Sequence, residues 1–173
     1  DAAGGPQFTH AASHMAWHAA VNGLFGMFKQ FTVDYSDMPM VTYTHPEVAR
    51  VGLTEAEAQT QGIDYEISEH HMRHVDRAIT EAEQPEGWIK LITARGSDKI
   101  LGVTVVDDQA GELIQEWVLA KRHKLGVNKI LATIHAYPTR SEINKYVAGN
   151  WKKAHVPQQA LKWLGKWFAW RRG

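Results

Sequence analysis

Residues 135–142 read HAYPTRSE. Tyr137 stands directly before Pro138, Thr139 follows, and Glu142 lies four positions past the proline. His135 is close but not adjacent to the proline. The stretch therefore poses a choice between a general acid/base site with its histidine in place and one whose base has been exchanged for Tyr137. The two differ chemically, because imidazole titrates near about 6.5 and a phenol only near about 10. A phenol is a poor base at neutral pH, although it donates a hydrogen bond well.

Working outward, a short helix at 127–133 leads into this stretch and another is predicted from Thr139 to Ala148. Before them, residues 109–124 (QAGELIQEWVLAKRHK) have the spacing of one amphipathic helix, stopped at Gly126. Residues 87–94 and 99–106 read as two strands around the turn RGSD. Further strands are predicted at 40–44, 48–53 and 63–68. Thr54 is placed to cap a helix that Gly62 ends, with Glu55 and Glu57 in its first turn. Residues 69–86 are polar and show no clear period. Strands grouped in the middle and joined by hairpins and short helices imply an α+β fold, an antiparallel sheet flanked by helices.

Toward the ends, residues 9–25 have helical spacing with Thr9 as the expected cap. Residues 157–171 form a Trp-rich helix opened by Pro157. The resulting organisation is a loop and helix over 1–37, a main domain over 38–150 and a C-terminal amphipathic helix over 151–173.

Composition narrows the function. Lys+Arg and Asp+Glu number 19 each in 173 residues, a balance that argues against a nucleic-acid partner. There is no cysteine, which excludes thiol chemistry and thiolate metal sites within this chain. His10, His14 and His18 share one helix face, and His70, His71 and His74 cluster in sequence. Neither set has a carboxylate at ligand spacing, so no metal site is expected. In the C-terminal helix, Leu161, Trp163, Leu164, Trp167, Phe168 and Trp170 form a broad apolar face with Lys162 and Lys166 opposite. Packing against the domain or a second subunit is the favoured use of that face. Contact of residues 157–172 with a membrane surface is the alternative. The expected location is the cytoplasm, with membrane association through that helix as the variant.

Four stretches occur in order: HPEVARVGLTEAEA (45–58), GWIKLITARGSDKILGVTVV (87–106), AGELIQEW (110–117) and HAYPTRSE. Together they resemble the C-terminal dimerisation domain of the pyridine nucleotide-disulfide oxidoreductases, the family of dihydrolipoamide dehydrogenase, glutathione reductase and mercuric reductase. The resemblance covers about residues 38–150. It extends forward to Asp1 and the Thr9, His10, Ala11 segment, which look like the end of the family's FAD domain. It implies that Asp1 contacts the flavin ribityl chain and that the amides of Thr9–Ala11 face the flavin pyrimidine end. The chain, which opens without Met, is therefore expected to be the last part of a flavoenzyme using FAD and NAD(P)H. On its own it is expected to bind neither and to be inactive.

The resemblance further implies a homodimer through about residues 110–150, with each subunit completing the other's active site, and a cis Tyr137–Pro138 bond. The family's motif, His-Pro-Thr-x-x-Glu, uses the histidine before the proline to exchange protons and the glutamate to hold it. Here Tyr137 occupies the histidine's position while Pro138, Thr139 and Glu142 are kept. The candidate catalytic residues are Tyr137, Glu142 and His135. Mercuric reductases carry a tyrosine in this region, but their C-terminal cysteine pair has no counterpart here. Three readings follow: a mercuric-reductase-like oxidoreductase with an unknown acceptor, a dihydrolipoamide-type reductase using His135, and a non-catalytic assembly module.

Overall fold

The computed structural model describes residues 4–82 and 85–172, without the side chains of residues 158 and 160. The chain divides into two compact units, Asp1–Met38 and Pro39–Gly173.

In the first unit, α1 spans Thr9–Phe25. Thr9 is not its cap. Phe8 takes the N-cap position in extended backbone, with no side chain bonded to the first-turn amides. The first turn closes one residue early because the Ala12 N–H donates to the Phe8 carbonyl at 2.9 Å. Beyond α1 the connector folds back. The Asn22 amide donates to the Phe31 carbonyl and accepts from the Phe31 N–H, both at 2.8 Å.

The second unit holds a five-stranded sheet of β1 (Met40–Thr42), β2 (Glu47–Gly52), β3 (Tyr65–His71), β4 (Trp88–Ala94) and β5 (Ile100–Asp107). The order is β1-β2-β5-β4-β3, and every neighbouring pair is antiparallel. Side chains two apart share a sheet face. Ala49 and Val51, Ile89 and Leu91, and Val103 and Val105 are therefore buried together in the core. Gly52 and Gly102 pair where β2 meets β5. A Cβ on Gly102 would stand 1.9 Å from the Leu53 carbonyl oxygen, so only glycine allows this approach.

The helices α4 (Ala110–Leu113), α5 (Gln115–Arg122) and α7 (Glu142–Ala154) supply the other half of the core. Ile114, Trp117, Ile143 and Val147 have no accessible surface. Burying each large apolar side chain contributes roughly 1.5–3 kcal/mol. On the strand side, α2 (Glu55–Thr60) starts with the expected Thr54 cap. It is a reciprocal capping box: the Glu57 N–H donates to Thr54 Oγ1 at 3.2 Å, and the Thr54 N–H to Glu57 Oε2 at 2.7 Å.

Three segments differ from the sequence expectation. Within 69–86, the described residues complete β3, then form a 3-10 turn at Met72–His74 and α3 at Asp76–Glu81. Met72, Val75 and Ala78, three apart, are fully buried, a short apolar period hidden among polar neighbours. The single helix expected at 109–124 is broken at Ile114. The Asn144 side chain donates to the Leu113 carbonyl at 3.2 Å, and the Trp117 N–H turns to the Ile114 carbonyl at 3.0 Å. The helix expected at 139–148 starts at Glu142, after a tight turn over 139–141, and runs to Ala154. Trp151 thus belongs to α7 and the core. The terminal helix proper is α8, Gln158–Arg171.

Candidate functional site

The stretch 135–142 follows α6, Val127–Ala132. That helix is seated on the β4–β5 turn: the Val127 N–H donates to the Asp98 carbonyl at 2.8 Å, and the Asn128 amide to Asp98 Oδ2 at 2.7 Å. A Cβ at Gly126 would meet the Asp98 carboxylate at 2.3 Å, so a larger residue there would push that side chain aside.

From α6 onward, the loop is fastened on both sides of Tyr137–Pro138, a cis peptide bond as expected. On the upstream side, the His135 side chain is only 5% exposed. Its Nε2 lies 3.1 Å from both Glu116 carboxylate oxygens, and its Nδ1 lies 3.1 Å from the Thr133 carbonyl. Both neighbours are acceptor oxygens, so the ring N–H has a partner in either tautomer. Glu116 also accepts from the Asn144 amide at 2.8 Å, and Asn144 Oδ1 accepts from the Trp117 indole at 2.7 Å. His135 is the outer end of a buried hydrogen-bonded chain.

On the downstream side, Arg140 turns inward. Its guanidinium donates through Nε to Asp107 Oδ1 at 2.9 Å, through a second nitrogen to Asp107 Oδ2, and to Glu81 Oε2 at 2.8 Å. Asp107 is fully buried at the end of β5. A paired, forked geometry of this kind is what makes a buried carboxylate tolerable. A cleft of about 430 Å³ opens beside Arg140, lined also by His45, Glu81 and Asp108. Neither His135, Tyr137 nor Glu142 lines it.

Between these anchors Tyr137 points outward and is 69% exposed. Its hydroxyl donates to Asp76 Oδ2 at 2.9 Å. That hydrogen bond, reinforced by the Asp76 charge, holds the phenol above its ordinary range. Ile134, three positions earlier, is 96% exposed.

Glu142 is buried at the start of α7. Its Oε1 accepts from the Tyr146 hydroxyl at 3.3 Å, and its Oε2 lies 3.4 Å from the Thr139 N–H. The Tyr146 phenol is raised first by its burial and then by the Glu142 charge. The ring of Tyr146 lies 5.1 Å from that of His70. The structure therefore separates the three candidates. Tyr137 and Glu142 share one electrostatic neighbourhood with Asp76 and Tyr146, while His135 is held by Glu116 on the inner side.

Sequence reasoning missed Asp76, Asn144, Glu116 and the Arg140–Asp107 pair. Only the last had a visible signal. Asp107 continues the inward positions Val103 and Val105 of β5, and a carboxylate at such a position requires a buried cation.

Among the described residues no group of three or more His, Asp or Glu is arranged to hold a metal ion. His14 and His18 contact each other along α1, with ring centroids 4.7 Å apart. Asp1 lies outside the described residues. The start of α1 carries Thr9, His10 and the buried Ala11, without a side-chain cap and with no acid in its first turn.

A five-stranded antiparallel sheet with helices packed against it defines an α+β fold. Residues 38–148 match the pyridine nucleotide-disulphide oxidoreductase dimerisation domain, and the chain belongs to that family. It is 42% identical over 116 residues to mitochondrial dihydrolipoyl dehydrogenase of Dictyostelium discoideum, covering 67% of this chain and 24% of that protein. It is 38% identical over 143 residues to dihydrolipoyl dehydrogenase of Chlamydia muridarum, covering 83% and 30%. The fold matches the HOCl-induced flavoprotein disulfide reductase RclA from Escherichia coli, with TM-score 0.75 and 23% identity over 84% of this chain and 33% of that one. LpdA from Mycobacterium tuberculosis superimposes with TM-score 0.68 and 23% identity, over 78% and 29%. The chain thus spans about a quarter to a third of the length of the relatives it matches.

Proposed function

We propose that this chain is the dimerisation part of a flavin-dependent, NAD(P)H-linked disulfide oxidoreductase, and that Tyr137 takes the place of the family's proton-exchanging histidine. The carrying observation is the presentation of Tyr137. It stands outward from a loop whose two flanks are pinned inward by His135–Glu116 and Arg140–Asp107. A side chain so placed reaches a second molecule rather than its own core.

With its hydroxyl bonded to Asp76, Tyr137 stays a neutral donor at physiological pH. It suits hydrogen bonding or proton donation to a developing anion, and it does not suit proton abstraction. The parent enzyme's FAD would meet the first turn of α1, where the amides of Thr9–Ala11 favour the negative charge of a reduced flavin edge. Tyrosine at this place supports a mercuric-reductase-like subtype with an acceptor other than a simple dithiol. Self-association through the exposed parts of residues 110–150 accompanies this reading, with Leu119, Ile134 and Tyr137 as accessible apolar contacts.

The names of the relatives favour a dihydrolipoamide-type reductase as the second reading, with His135 as the base. His135 would have to leave Glu116 and the Thr133 carbonyl to serve. Full-length protein carrying Tyr137→Phe, Tyr137→His or His135→Ala separates the readings. The proposal expects Tyr137→Phe to lower acceptor turnover by about 10²–10³, with Tyr137→His gaining activity on dihydrolipoamide. A loss confined to His135→Ala favours the second reading, and no flavin-dependent activity in any variant favours a pure assembly module.

A further inference from the structure

The helix α8 (Gln158–Arg171) adds no buried side chain to the core: every residue from Leu161 to Arg172 is exposed. Of the two favoured uses of its apolar face, packing against the domain or against a second subunit, the first is therefore not realised. Trp163 and Trp170 remain 74% and 79% exposed. At 3.6 residues per turn, Leu161, Trp163, Leu164, Trp167, Phe168 and Trp170 occupy roughly half the circumference.

Charge is segregated with equal sharpness. From Lys152 onward the chain has six Lys/Arg and no Asp/Glu, so a formally neutral protein divides into +6 over its last 22 residues and −6 over the rest. Two of its tryptophans mark one border between the two faces. Trp163 and Trp170 adjoin the Lys162/Lys166 side, with Lys166 Nζ 5.9 Å from the Trp163 ring centroid. Arg171 falls within the apolar arc, and its guanidinium lies 5.4 Å from the Trp167 ring centroid. An arginine there is costly in a dry protein–protein seam, but at a headgroup layer its stem stays with the rings while its charge meets phosphate. Indoles at the rim prefer the same layer, which is apolar on one side and wet on the other.

From this arrangement we infer that α8 is an in-plane anchor for a bilayer surface rich in anionic headgroups. Fourteen residues give about 21 Å of helix, shorter than a bilayer core. No helix among the described residues is long and apolar enough to cross a membrane. The helix therefore lies along the surface, with the hydrocarbon taking Leu161, Leu164, Trp167 and Phe168, the headgroup layer the rim indoles, and the phosphates Lys162, Lys166, Arg171 and Arg172. The short connector His155–Pro157 joins it to α7.

The test floats the 173-residue chain with vesicles of phosphatidylcholine alone and of phosphatidylcholine mixed equally with phosphatidylglycerol. Binding is expected to the mixed vesicles only, and to weaken in ~1 M salt, where screening acts within about 3 Å. Lys162→Gln/Lys166→Gln should lower partitioning by about fivefold per charge, and Trp163→Ala/Trp167→Ala should abolish it. Both variants change exposed positions, and an unaltered melting curve of the chain confirms that the core is intact. Absence of flotation by the unmodified chain, or flotation indifferent to both variants, overturns the inference. So does a Trp163→Ala/Trp167→Ala variant that only changes the sedimentation mass, which would assign the face to a second copy of the chain.

Discussion

The Tyr137 hydroxyl and the Asp76 carboxylate meet at 2.9 Å, joining the outward loop to the first residue of α3 across 61 positions of sequence. This bond fixes the direction of a ring that is otherwise mostly in solvent, and it keeps the proton on the phenol. Asp76→Asn should remove the charge and let Tyr137 titrate closer to its ordinary value of about 10. A tyrosinate absorbance titration, compared with Tyr137→Phe to isolate the signal, reads this directly. An unchanged titration in Asp76→Asn would show that the contact does not control the proton.

Arg140 and Asp107 form a pair whose partners are far from equivalent when one is removed. Arg140→Met leaves the fully buried Asp107 carboxylate without its cation and should cost about 3–5 kcal/mol in denaturant unfolding. Arg140→Met/Asp107→Leu should recover most of that loss, since it removes the stranded charge as well. Additive losses in the double variant would contradict the pairing.

Asn144 is the junction of three contacts: the Trp117 indole, the Leu113 carbonyl and the Glu116 carboxylate. Asn144→Leu strands the first two in the core and frees Glu116 from one donor. The expected destabilisation is about 2–5 kcal/mol, read as a lowered Tm. A change within experimental scatter would mean that the network is not a structural tie.

His70 carries a pH prediction. Burial first, and then the neighbouring His74, lower its pKa, with His71 and Lys153 acting in the same direction. Its Nδ1 lies 3.2 Å from the Asn150 amide, and its Nε2 is buried without a hydrogen-bond partner. The folded state therefore resists the proton that an unfolded histidine accepts below about pH 6.5. Stability should fall as pH drops through that value, and His70→Phe should flatten the dependence. Melting curves between mildly acidic and neutral pH suffice, and an equal slope in both proteins would refute the assignment.

Much of this molecule could be read in one dimension. The strands declare themselves because alternation is a local signal: Ile89 and Leu91, or Val103 and Val105, point inward wherever the sheet is buried. The Thr54–Glu57 box is equally local. What escaped was long-range. Nothing near Leu113 announces that Asn144 will divert its carbonyl and break a helix with an otherwise good amphipathic pattern. The period of Met72, Val75 and Ala78 is too short to stand out from its polar setting. At the candidate site, position 137 was legible because a proline and a glutamate frame it. The partner that orients Tyr137 lies 61 residues away, and the ion pair beneath the loop joins residues 33 apart. Such pairings are fixed only when the sheet assembles.

The anchoring of the loop has an evolutionary corollary. The groups that hold 135–142 in shape are His135, Thr139, Arg140 and Glu142, each bonded to partners other than residue 137. Tyr137 contributes its bond to Asp76 on the exposed side and is itself mostly in solvent. Residue 137 behaves like an interchangeable tip on a fixed holder, where a change of side chain alters what the loop presents while barely touching the scaffold. A lineage could exchange the side chain presented at this point in a single substitution, with no intermediate that fails to fold.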